Sequence, residues 1–201
     1  MSETLTAARG LPPAPGAEQY RALDFANSAI ALPGDRFLDL LGTPEATNRW
    51  LTAHDLAPAD AGLREMCTTQ LRALREHVRA LFAAHTAGLP ALPTALSAVN
   101  DAMRRTPTAA LLEWDEQRGP FRAQTCPPGE ILDRALATLA ADTADLLTGP
   151  DAGALTTCDS PPCNRYLIRH GRRHWCSTRC GDRVRAARAY TRRTQPRTDP
   201  D

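Results

Sequence analysis

Four cysteines fall within 23 residues near the C-terminal end of this 201-residue chain, as Cys158-x4-Cys163, twelve intervening residues, then Cys176-x3-Cys180. No other feature restricts the fold as strongly. Two close pairs separated by a short span are how a chain offers four soft ligands to a tetrahedral zinc ion, because each tight pair turns both sulfurs inward. Pro161 and Pro162 stiffen the first pair. The alternative is four free or disulfide-bonded thiols. The surrounding segment has too few apolar side chains to build its own core, so a bound metal would have to hold it. Between the pairs, Tyr166, Leu167 and Ile168, a turn at His170-Gly171 and an arm ending in Trp175 predict a small hairpin, and a helix opens at about Ser177. Knuckle, hairpin and a helix carrying the last ligands make a treble-clef-like zinc module. His170 and His174 are substitute ligands set against a surface role, and the distant Cys67 and Cys126 read as buried thiols.

The rest of the chain is mainly α. Hydrophobic residues make up 42% and aromatics only 5%, which suits an Ala/Leu helical core better than a β-sandwich. Thr43 and Pro44 sit as N-cap and first residue of a short helix to about Ala53. A long helix is predicted over 58–87, with Leu71, Leu74, Val78, Leu81 and Phe82 at three- and four-residue steps. Thr94 is read as the cap of another helix through about Arg105, with Leu96, Val99 and Met103 inward. Residues 111–125 break the pattern and predict strand, polar turn and strand. Helix returns from about 128, with Ile131, Leu132, Leu136, Leu139 and Leu146 on its buried side, and stops at Gly149-Pro150. The expected organisation is a disordered leader over 1–17, an α-rich domain with a small β-hairpin over 18–150, the zinc module over 151–195 and a disordered tail over 196–201.

The net charge of +1 conceals an asymmetry: residues 158–201 carry 11 arginines against four aspartates, while the preceding body is net acidic. There is no lysine anywhere, so the preference for arginine carries no message of its own. At about 100° per residue, Arg185, Arg188 and Arg192 share an arc of roughly 60° on the last helix. Cys180, Val184, Ala187 and Thr191 cluster on another face, and Arg183 falls on the cysteine side, placed to brace the knuckle. Arg172 and Arg173 in the hairpin add to the same sign. Acidic residues are nearly absent from the stripe, which reads as a nucleic-acid surface, with an acidic protein partner or plain solvation as alternatives.

The tail motif Trp175-Cys176 through Cys180-Gly181-Asp182-Arg183 resembles the CGNR zinc finger. "LDFANS" (23–28) and "LLGTPE" (40–45) resemble the helical ABATE domain that accompanies it in bacterial stress-induced transcription regulators. The resemblance covers about residues 18–193. It implies a zinc-bound, DNA-binding module on an α-rich domain of unassigned ligand, and the leading reading has that domain sense a signal or form a dimer. The chain departs from the motif in carrying Asp182 in place of its Asn, where it either faces nucleic acid or caps the helix. Asp24 and Asn27 are candidates for binding a small ligand, set against a local capping role. His54, His77 and His85 lack metal-spaced partners, and no phosphate loop, nucleophile elbow or His-Glu-x-x-His pattern points to catalysis. No signal peptide and no run of roughly 20 apolar residues is found, so the expectation is a cytoplasmic protein without a membrane span.

Overall fold

The computed structural model describes residues 12–106, 111–123 and 131–194. Its centre is helix α3 (Glu65–Ala87), whose periodic Leu71, Leu74, Val78, Leu81 and Phe82 are all buried. Around it pack α1 (Arg21–Ala26), α2 (Pro44–Ala53), α4 (Pro93–Arg104) and α5 (Ile131–Thr148), each in contact with α3. Thr43 Oγ1 accepts the Ala46 N–H at 3.2 Å, and Pro44 takes the first helical position, as the sequence predicts for α2.

Two helix starts differ from expectation. Residues 58–64 hold the turn formers Pro58, Asp60 and Gly62, and the Ala61 N–H turns back to the Pro58 carbonyl, so α3 begins at Glu65 rather than 58. In α4, Pro93 occupies the first turn behind an extended Leu92, and Thr94 caps nothing. That setting buries Ala95, Val99 and Ala102 and leaves Leu96 49% exposed. Among the described residues there are three antiparallel two-stranded sheets. The expected hairpin at 111–125 is β3 (Leu111–Asp115) with β4 (Gly119–Ala123), residues 124 and 125 lying outside the described part. An unforeseen one, β1 (Ala29–Leu32) with β2 (Arg36–Asp39), turns at Pro33-Gly34-Asp35.

Asp39 at the end of β2 is tied to α3 by Arg75, a buried guanidinium that donates from Nη1 at 2.5 Å and Nη2 at 3.0 Å. Burial raises the Asp39 carboxyl, but the Arg75 hydrogen bonds and the Leu41 N–H outweigh it and hold the group below its ordinary 3.8. A depressed carboxylate stabilises the fold above its unfolded pKa and loses that contribution as pH falls through the folded value. Asp39→Asn is therefore expected to be less stable than wild type at neutral pH. Its urea midpoint should also fall less steeply on acidification towards about pH 3. Parallel acid limbs for the two proteins would show that the pair is not linked to stability.

The chain leaves α5 through a 3-10 turn (Ala152–Ala154) into β5 (Leu155–Thr157), which pairs with β6 (Tyr166–Ile168). Side chains alternate across a strand, and here both faces are covered. Leu155, Tyr166 and Ile168 enter the main core, while Leu167 enters a second cluster with Cys158, Cys176 and Cys180. The expected hairpin of 166–168 with a return arm to Trp175 is thus corrected: β6 pairs backwards with β5, and the loop between them carries the first cysteine pair. Residues 12–17, expected to be unstructured, are also placed against this module. Ala14 is buried in the cysteine cluster, and the Pro15 carbonyl accepts the Ile168 N–H at 2.8 Å.

Candidate metal centre and arginine helix

The loop after β5 and the start of α6 (Thr178–Thr194) bring four sulfurs together. Ser177 caps α6, its Oγ accepting the Cys180 N–H at 3.2 Å, and this turn aims Cys176 and Cys180 inward. The Sγ atoms of Cys158, Cys163, Cys176 and Cys180 all lie within 4.8 Å of one another, with Cys163–Cys176 at 3.7 Å and Cys176–Cys180 at 3.6 Å. Sulfurs arranged tetrahedrally about 2.3 Å from a metal ion are separated by about 3.8 Å, against about 2 Å in a disulfide. The donor set fits a thiolate-bound metal, and the pairs are not bridged. His170 and His174 are exposed and outside the cluster; His174 faces Asp159 at 3.3 Å. Cys67 is partly exposed rather than buried, and Cys126 lies outside the described residues.

Within the cluster, Cys163 and Cys176 hold their protons unequally. Hydrogen bonds from Cys158 and Cys163, with Arg165 nearby, bring Cys176 down to about 2, while Cys163, donating to its neighbours in a buried site, is pushed up. Two arginines supply the opposite charge. Arg165, buried, points Nη1 at Cys176 Sγ (3.7 Å) and Nη2 at the Pro12 carbonyl (3.0 Å). Arg183 reaches Cys180 Sγ with Nη2 at 3.3 Å and grips Ser160 through its hydroxyl and carbonyl at 3.1 and 3.0 Å. Four thiolates around a divalent ion would carry two net negative charges, and Arg165 and Arg183 stand where they would offset both. Arg183 has the bracing position the helical spacing assigns it; Arg165 went unremarked in the sequence, where nothing marks one arginine of many.

Asn27 does not open onto a ligand cleft. Its amide is clamped to Tyr166 of β6, Nδ2 donating to the carbonyl at 2.9 Å and Oδ1 accepting the N–H at 2.7 Å. Asp24 faces elsewhere and accepts from His54 Nε2 at 2.8 Å, the ring stacked on Trp50 and its other nitrogen against the Trp50 carbonyl. The two residues of "LDFANS" are therefore not brought together. Arg79 completes the seam: it donates to the carbonyls of Ala26 and Asn164 and lies over the Tyr166 ring.

Beyond Val184, α6 leaves the protein. Arg185, Arg188 and Arg192 are exposed, and so are Ala187 and Thr191, which the helical wheel assigned to the core side. The core ends too early to cover them. Gly181 lies under the Trp175 ring, where a Cβ would sit 3.0 Å from Cε3. The same ring carries the Arg185 guanidinium at 5.7 Å, and the Trp175 carbonyl accepts from Arg173 Nε at 3.1 Å. Arg172 is exposed on the adjoining turn. Asp182 is not the helix cap. It pairs with Arg185 at 2.6 Å, so the stripe holds one intrahelical neutralisation after all.

Residues 20–150 match the model of ABATE, described as a putative stress-induced transcription regulator, and residues 155–193 match that of the CGNR zinc finger. The chain belongs to the ABATE family. No curated protein matches it. Both matched families are regulatory or zinc-finger families, not enzyme families. In the CGNR stretch of this ABATE-family chain, the four motif positions divide their work: Cys180 brings its sulfur into the four-thiol cluster, Gly181 makes room for Trp175, Asp182 holds Arg185, and Arg183 ties the two knuckles. No described helix is long and apolar enough to cross a membrane.

Proposed function

We propose that this chain is a zinc-dependent, DNA-binding transcription regulator in which Cys158, Cys163, Cys176 and Cys180 hold one Zn2+. In this reading α6 enters a DNA groove, and the helical body carries the finger and receives the signal. The ion is structural: four thiolates leave it no open position for water, and its chemistry is to fix the knuckles and the start of α6. The observation that carries the reading is the projection of α6. Arg185 rests on the Trp175 ring, but from Arg188 onward nothing in the described protein covers the arginine face of α6, and a bare helix about 10–12 Å across suits a major groove about 12 Å wide. Phosphate contacts by its arginines would supply affinity through counterion release.

Salt titration on one duplex tests this. Arg188→Ala and Arg192→Ala are each expected to weaken binding to all sequences and to reduce the salt slope by about 0.9. Arg185→Ala should reduce it less, because Asp182 already neutralises part of that charge. Metal content should not change. A slope indifferent to all three substitutions, or stronger competition by an acidic polypeptide than by DNA, defeats the nucleic-acid reading.

A further inference from the structure

A cleft of about 180 Å³ lies where the β1–β2 hairpin of the helical body meets the metal module. One wall is apolar, formed by Ile30, Leu32 and Pro33, the other is the start of α6 with Ser177 and Arg179, and Cys163, Cys176 and Cys180 of the metal centre also line it. Four arginines line it and no carboxylate does. Arg165 and Arg183 are committed to the sulfurs of Cys176 and Cys180, as described above. The two that remain, Arg36 from the hairpin and Arg179 from the helix, are exposed. Arg36 meets only the Pro33 carbonyl, and Arg179 has no acidic partner among the described residues. The cleft thus keeps two positive charges in excess, beside the positive end of a 17-residue helix.

We propose that this cleft binds a small organic anion, a carboxylate on a compact apolar group. The charge selects an anion, and the Ile30–Leu32–Pro33 wall selects an organic one, since inorganic phosphate would leave that surface wet. Size sets an upper limit: a cavity of about 150 Å³ holds benzene, so 180 Å³, part of it beside the sulfurs of the metal centre, takes at most one ring bearing a carboxylate. Domain junctions are common places for such sites. A ligand here touches the hairpin of the body and the first turn of the arginine helix at once, so its occupancy bears on where α6 points. This rests on the regulator reading for its biological sense, but the binding event does not, and the two fail separately.

The test is a titration of the full-length, metal-loaded chain with benzoate, followed through backbone amide shifts, with benzamide and inorganic phosphate as controls. Saturable shifts are expected at Ala31, Ser177 and Arg179, with benzoate bound at least about tenfold more tightly than neutral benzamide, as a charge-assisted contact requires. Arg36→Ala and Arg179→Ala should each weaken binding by about tenfold, with metal content and all other amide positions unchanged because both side chains are exposed. The proposal is overturned by the absence of saturation below about 10 mM. It is equally overturned by benzamide or phosphate binding as well as benzoate, by shifts confined to another region, or by indifference to both substitutions. Benzoate binding in a protein that ignores DNA would retain the cleft and refute the regulator reading.

Discussion

Cys163→Ser is expected to lower bound metal from one ion per chain to a small fraction, and to loosen far more than the finger. The private core of the metal module is mostly sulfur: besides the cysteines it buries Leu167 and Ala14, with Trp175 partly covered. Apolar burial at about 1.5–3 kcal/mol for one large side chain cannot order a segment of this length. Metal binding contributes on the order of 10 kcal/mol to small zinc modules, comparable with the whole net stability of a typical domain, about 5–15 kcal/mol. Because Leu167 faces the sulfurs while Tyr166 and Ile168 face the helices, the loss should spread into the body. Elemental analysis gives the first half of the result, and amide exchange at Tyr166 and Leu167 the second. Stoichiometric metal in the mutant refutes the ligand assignment. Metal loss with undiminished protection refutes the coupling.

Asn27→Ala is the second large effect. Both hydrogen bonds of the Asn27 amide go to the backbone of Tyr166, and both partners are buried. Leaving a buried donor and a buried acceptor unsatisfied costs about 1–3 kcal/mol each, so about 2–6 kcal/mol in total. Asn27→Asp retains the acceptor and turns a second oxygen on the Tyr166 carbonyl, and should be no better. The expected readouts are a lowered urea midpoint and faster metal loss to a chelator, although Asn27 touches no cysteine. If the midpoint falls and chelation kinetics do not change, the clamp stabilises the body without steadying the finger.

What was legible in the sequence follows the range of the forces involved. Short-range patterns read well: the buried stripe of α3, the Thr43-Pro44 start of α2 and the β3–β4 hairpin depend on residues a few positions apart, and the four sulfurs that the fold brings together lie within 23 residues. The errors lie where a distant partner decides. Tyr166–Ile168 has equal local reason to pair forwards or backwards, and Leu155–Thr157 wins because Leu155 also buries against α3. Asn27 looks like a ligand donor until β6, 139 residues away, takes its amide. Ala187 and Thr191 lie on the right side of the wheel, but a wheel does not say where the core ends. Arg165 was hidden by abundance, since its burial between Cys176 and the Pro12 carbonyl is a tertiary fact.

The two-sided burial of β6 makes residue parity a functional variable. Inserting one residue between Cys163 and Tyr166 would leave every cysteine present and every composition-based signature intact. It would nevertheless swap the strand's faces, turning Leu167 towards the helices and driving the bulkier Tyr166 and the β-branched Ile168 at the sulfurs. A two-residue insertion would restore the faces. Length variation in this loop should therefore be accepted in even steps and rejected in odd ones, and a finger lifted out at its cysteines would lose half of what packs its only buried strand.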